Sequence, residues 1–86
     1  MKKIIEFNYQ STVNRGLINE DTTIDEFINK IKEEESEMID ESYNVESDLF
    51  ANELADLIMV CFNIARHYKI DIERHILNNI LKNMKR

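Results

Sequence analysis

The sequence predicts an all-α fold, a helical bundle of about four helices. The chain has no Pro and a single Gly among 86 residues, so the punctuation that separates strands is almost absent. Glu, Lys, Leu, Ile and Asn dominate the composition, which favours helix over sheet. Apolar residues also recur at three- and four-residue intervals along most of the chain. The length predicts one domain, residues 1–86. A single core at this length is marginal, which predicts completion of the bundle by oligomerisation.

The first segment, about Lys3 to Asn14, has the weakest helical pattern, because Ile4, Phe7, Tyr9 and Val13 do not form one stripe. Gly16 then suits the residue just past a helix C-terminus, in the left-handed conformation. The second segment opens on a capping box, Thr23-x-x-Glu26, and continues with Ile24, Phe27, Ile28, Ile31, Met38 and Ile39 on one face. Glu34, Glu37 and Glu41 fall along one edge of that face, and Glu35 falls near its middle. Ser47 suits the N-cap of the third segment, with Asp48 in its first turn. There Phe50, Leu54, Leu57, Cys61, Ile64 and Tyr68 form a stripe, and Ile58, Met59, Val60 and Phe62 widen it almost all round. A helix apolar on every side is buried on every side, which predicts a subunit interface. Asp71 suits the N-cap of the last helix, whose apolar residues are Ile72, Ile76, Leu77, Ile80, Leu81 and Met84.

The net charge of −6 argues against a surface for polymeric nucleic acid, which needs clustered Lys and Arg. It leaves room for a small polyphosphate, because a divalent cation bridges two anions. The longest apolar run, Leu57 to Phe62, is too short to span a bilayer, and "MKKIIEF" is too short for a signal peptide. Cys61 stands alone in an apolar run, which predicts a buried thiol in a reducing compartment. The expected location is the cytoplasm, without membrane contact.

Residues three apart on a helix are surface neighbours. Glu34-x-x-Glu37 and Glu53-x-x-Asp56 are therefore two carboxylate pairs, each presented by one helix. Antiparallel packing across a short connection lets the pairs meet. Four carboxylates at close range repel unless a proton or a cation offsets the charge. Oxygen-only ligands suit Mg²⁺ or Mn²⁺ rather than Zn²⁺. An ordinary solvated acidic face is the competing reading of either pair alone. A di-iron bundle needs Glu-x-x-His, and no Glu here has His three residues later. A Ser/His/Asp or Cys/His catalytic group has no support.

"KIKEEESEM" followed by "ELADLIMVCFNIARHYKIDIE" resembles the all-α nucleotide pyrophosphohydrolase superfamily, which includes MazG-like proteins, dimeric dUTPases and phosphoribosyl-ATP pyrophosphohydrolase. The resemblance covers about Arg15 to Arg86, and its signature is E-x-x-E, a short connection, then E-x-x-D. It implies a MazG-like homodimer or homotetramer that cleaves a nucleoside triphosphate between the α and β phosphates, with Mg²⁺ as cofactor. The products are the monophosphate and pyrophosphate, and the role is clearing unwanted nucleotides. By position Glu34, Glu37, Glu53 and Asp56 would be the metal ligands, with Glu34 or Glu37 also placing the attacking water. Lys82, Asn83 and Arg86 of "LKNMKR" would hold phosphate, although Asn79 stands where a Lys four residues before Asn83 would be. Two features depart from the pattern: Glu35 replaces an apolar residue, and a C-terminal cover for the substrate would be missing or come from another subunit. They support an alternative, an acidic helical interaction module or nucleotide sensor of the same fold.

Other residues have simpler readings beside these. Arg15 touches phosphate or caps helix carbonyls, and Lys82 and Arg86 also suit a helix C-terminus. Asn63, two turns beyond Asp56, reaches substrate or is merely exposed. Phe7 and Tyr9 stack on a base or pack in the core. His67 and His75 read as helix-end or surface residues, and Met38 and Met59 as core filler.

Overall fold

The computed structural model describes residues 1–85 and is all-helical, with α1 (Lys2–Asn14), α2 (Ile24–Asp40), α3 (Asp48–His67) and α4 (Ile72–Met84). Arg86 lies outside the described residues.

The helix boundaries follow from local chemistry. The Thr23 hydroxyl accepts from Glu26 N–H at 3.3 Å while the Glu26 carboxylate accepts from Thr23 N–H at 2.9 Å, completing the capping box of α2. Ser47 Oγ accepts from Leu49 N–H at 3.0 Å, and Asp71 Oδ1 accepts from Arg74 N–H at 3.2 Å. The first segment, weakest in pattern, is a full helix. At its end Gly16 has φ 75°; its N–H donates to Val13 O and that of Leu17 to Thr12 O, which is a Schellman motif.

Helix α3 ends in the same motif, with Lys69 N–H donating to Arg66 O and Ile70 N–H to Ala65 O, but Lys69 takes the positive φ of 56°. A side chain at that φ costs about 1 kcal/mol that glycine avoids. Lys69→Gly is expected to raise stability by about 1 kcal/mol, seen as a higher urea midpoint at constant slope. A lowered midpoint would mean that the lysine side chain contributes more than its backbone costs.

Helix α3 is central and packs against both α2 and α1. Phe27 meets His67 and Tyr68, whereas Glu34 meets Glu53 and Asp56, so α2 and α3 run antiparallel. The core cluster is Tyr9, Ile18 and Phe27, with Val13 and Ile64 against it. His67 ties the core to the connection between α1 and α2. Its Nε2 lies 3.0 Å from the Thr22 carbonyl, which only accepts, so Nε2 carries the hydrogen. The other ring nitrogen, Nδ1, pairs with the Tyr9 hydroxyl at 2.8 Å. Arg66 donates to Glu6 and lies over the Tyr9 ring at 4.7 Å. His67 is the last residue of α3, as the helix-end reading has it, but it is half-buried and joins three segments.

Helix α4 has no buried residue, and Leu77, Ile80, Leu81 and Met84 are exposed. The radius of gyration is 14.5 Å, against about 12 Å for a compact domain of this length. On α3, Leu54, Ile58 and Cys61 share a face that is exposed in the single chain. The expected burial of Cys61 is thus corrected: the thiol lies on the side of α3 that its own chain leaves uncovered. Phe7, also expected in the core, is 79 % exposed, because the α1 face that packs on α3 is the one carrying Asn8, Tyr9 and Thr12. Among the described residues no helix is long and apolar enough to cross a membrane.

Candidate functional site

The α2–α3 seam carries the carboxylates. On α2 the buried line runs from Phe27 through half-buried Ile31 to Glu34 and half-buried Met38, while Ile24, Ile28 and Ile39 are exposed. Glu34, expected at an edge, therefore lies within the packed seam at 7 % exposure. Glu35, expected amid the apolar face, is exposed and disturbs nothing.

Glu34 joins two clusters. One comprises Glu34, Glu53 and Asp56, and the other Glu33, Glu34 and Glu37; in each, one carboxylate oxygen per residue lies within 4.8 Å of the others. Glu53 is half-buried, and Asp56, Glu33 and Glu37 are exposed. Glu37 also feels the charge of Glu53 directly. All four carboxylates expected to meet thus share one locus. Glu34 Oε2 and Glu53 Oε2 are buried with no hydrogen-bond partner. An orphaned carboxylate oxygen is costly, and an all-oxygen set with orphaned members fits a hard divalent cation.

The Glu37 carboxyl is held above the ordinary glutamate value of 4.5, first by the Glu34 charge, then by desolvation and the Glu53 charge. A carboxyl raised by folding binds its proton more tightly in the folded chain, so folding is favoured at low pH. The cation-free protein should lose stability as pH rises from 4.5 through the raised folded value of Glu37. Glu6 acts oppositely: the Arg66 hydrogen bond lowers its pKa, so its contribution is present above the ordinary value and lost as pH falls through the lowered one. Both groups are solvated, so screening keeps the effects small. Unfolding in EDTA, followed from pH 4 to 8, should show the Glu37 slope, and Glu37→Gln should flatten it. An unchanged slope in that variant would place the repulsion elsewhere.

A cleft of about 580 Å³ adjoins the cluster. Its lining includes Glu34, Asp56 and Lys30 at one part, Arg15 and Asn19 from the α1–α2 connection, and Phe27, Ile18, Val60 and Met59 as apolar wall. Lys30 Nζ lies 3.1 Å from Glu34 Oε1 and 3.4 Å from Glu33 Oε1. Glu34, first, raises the Lys30 pKa. Arg15 is the C-cap residue of α1 and lines the cleft.

The cleft also has a buried polar patch on which sequence reasoning was incomplete. Asn8 Nδ2 donates to Met59 O at 3.2 Å and to Asn63 Oδ1 at 2.9 Å. Asn63 Nδ2 donates to Thr12 Oγ1 at 3.3 Å, and Thr12 donates to Asn8 O at 2.8 Å. The two carbonyls only accept, which fixes the direction of the whole network. Asn63 is buried rather than exposed, and with Asn8 and Thr12 it lines the cleft. Helical spacing pointed at Asn63 but carried no information on its partners in α1. Lys30 had a legible signal, its four-residue spacing to Glu34.

Lys82 and Asn83, near the end of α4, are exposed and do not line this cleft. The expectation for Arg86 falls outside the described residues. No protein-family model, no curated protein and no solved structure matches the chain.

Proposed function

We propose that the chain is a cytoplasmic, Mg²⁺-dependent nucleoside triphosphate pyrophosphohydrolase of the all-α superfamily its motifs resemble, with Mn²⁺ able to replace Mg²⁺. The observation that carries this reading is the meeting of Glu34, Glu53 and Asp56 across antiparallel helices, with two buried carboxylate oxygens left unpartnered beside a cleft. Glu34, Glu37, Glu53 and Asp56 would hold the cation. When bound, Mg²⁺ supplies Lewis acidity and neutralises phosphate charge.

The chain's own residues do the rest. Lys30 and Arg15 bring positive charge to a cleft otherwise edged by carboxylates. The apolar wall of Ile18, Phe27 and Val60 excludes water from one side of a bound nucleotide. Glu34 or Glu37 orients the attacking water toward the α phosphorus. Catalysis rests on placement and charge, without a covalent intermediate.

The exposed apolar surfaces of α3 and α4 support assembly as a homodimer or homotetramer. A phosphate-binding role for Lys82 and Asn83 requires α4 to reach a cleft that it does not line within one chain. We therefore assign the role of Lys82 and Asn83 across a subunit boundary. An interaction module would use the same apolar faces without needing a cation.

The protein, incubated with Mg²⁺ and a panel of deoxy- and ribonucleoside triphosphates, should release pyrophosphate and monophosphate from at least one. Release of orthophosphate would indicate a different bond, and a panel without turnover would leave the module reading in place.

A further inference from the structure

We propose that Lys30 is a displaceable countercharge: its ammonium holds Glu34 in the cation-free protein and transfers to a di- or triphosphate oxygen when a divalent cation takes that carboxylate. The inference rests on the metal and polyphosphate reading of the cleft and deepens it, giving Lys30 two alternating partners instead of a fixed charge in the cleft.

Four observations place Lys30 in this role. Its Nζ is 3.1 Å from Glu34 Oε1, while Glu34 Oε2 is buried and unpartnered, so the ion pair satisfies only half of the carboxylate. Glu34 is the member common to both acidic clusters, so a cation in either one engages the carboxylate that Lys30 holds. The Lys30 side chain is about half exposed whereas that of Glu34 is nearly enclosed, so of the two it is the lysine that is free to move. Lys30 also lines the cleft itself.

The chemistry then follows. A divalent cation on Glu34 brings two like-charged centres to one carboxylate, and they repel. The ammonium is a compact charge on a flexible four-carbon stem with rotatable donors. It can leave Glu34 without any change in the backbone of α2. In the cleft, a polyphosphate is the anion whose charge calls for it, and lysine binds phosphate as a point charge. One residue thus lowers the repulsion among the carboxylates before loading and contributes to ligand binding after it. Because Lys30 competes with the cation, removing it has opposite effects on the two ligands.

The test uses binding alone. Mn²⁺ is titrated by calorimetry into the full chain and into Lys30→Met and Lys30→Arg at pH 8, and tripolyphosphate is titrated into each with Mn²⁺ present. For Lys30→Met the Mn²⁺ Kd should fall about fivefold, while the tripolyphosphate Kd should rise about tenfold, the loss of one charge-assisted hydrogen bond. Lys30→Arg should retain most of the tripolyphosphate affinity. Helical circular dichroism and the melting temperature check that each variant is folded.

Weakening of both ligands in folded Lys30→Met would make Lys30 a structural support and overturn the proposal. An unchanged tripolyphosphate Kd would reduce it to a static ion pair, which also overturns it. A parent chain that binds no Mn²⁺ refutes the metal site and this inference together. Opposite shifts in a protein that cleaves no nucleoside triphosphate would uphold the role of Lys30 while refuting the proposed reaction.

Discussion

Glu53→Gln is expected to lower kcat/KM for nucleoside triphosphate cleavage by roughly 100-fold or more, the scale of losing one electrostatic element of a preorganised site. Glutamine keeps the shape of glutamate and removes one charge. Glu53 Oε2 is buried without a partner, so in the cation-free protein its charge is a burden, increased by Glu34 and Asp56 within 4.8 Å. The substitution relieves that repulsion. The melting temperature in EDTA should therefore stay level or rise, while the rise produced by saturating Mg²⁺ in the parent should shrink or vanish. A residue that only supported packing would lower the melting temperature in both conditions. Equal turnover by parent and variant would remove Glu53 from the site. Loss of turnover with a melting temperature that falls in EDTA would mean that the side chain acts through folding.

The helices and their caps were legible because they depend on neighbours in sequence. Thr23, Glu26, Ser47 and Asp71 each satisfy backbone groups two or three residues away, so the chain alone contains the answer. The carboxylate locus was legible for a similar reason: a three-residue spacing and a short connection leave few ways for antiparallel helices to present two acidic pairs. What could not be read depends on helix rotation. A few tens of degrees about the axis of α2 separate Glu34 as an edge residue from Glu34 as a seam residue, and the apolar stripe was too wide to decide. The same rotation takes Glu35 from the middle of the expected face to solvent. In α1 the buried line includes Asn8 and Thr12, polar residues that no hydrophobic pattern selects; they are buried because Asn63 and the Met59 carbonyl pair with them. The partners of His67 were illegible for the same reason, since Tyr9 and Thr22 lie far away in sequence.

The two phenylalanines before the carboxylates turn that lesson into a stability experiment. Phe27 is 3 % exposed; its ring meets His67 at 5.0 Å and Tyr68 at 6.2 Å between centroids, both edge-on. Phe27→Ala removes a buried ring and leaves a cavity, which costs about 3–4 kcal/mol. A chain of this length has a total stability of roughly 4–13 kcal/mol, so the loss is a large share. The melting temperature should fall by about 15–25 °C. Phe7, 79 % exposed on α1, is the control: Phe7→Ala should change stability by less than about 0.5 kcal/mol. The comparison tests the rotation of both helices, because turning α1 to bury Phe7 would take Tyr9 away from His67. Equal losses in the two variants would therefore contradict the Tyr9–His67–Thr22 link as well as the core. Phe27 also lies two turns before Glu34 on the same buried line, so its loss should loosen the seam that holds the carboxylates together. Divalent cation binding by Phe27→Ala, measured well below its melting temperature, should weaken along with stability, whereas Phe7→Ala should bind as the parent does.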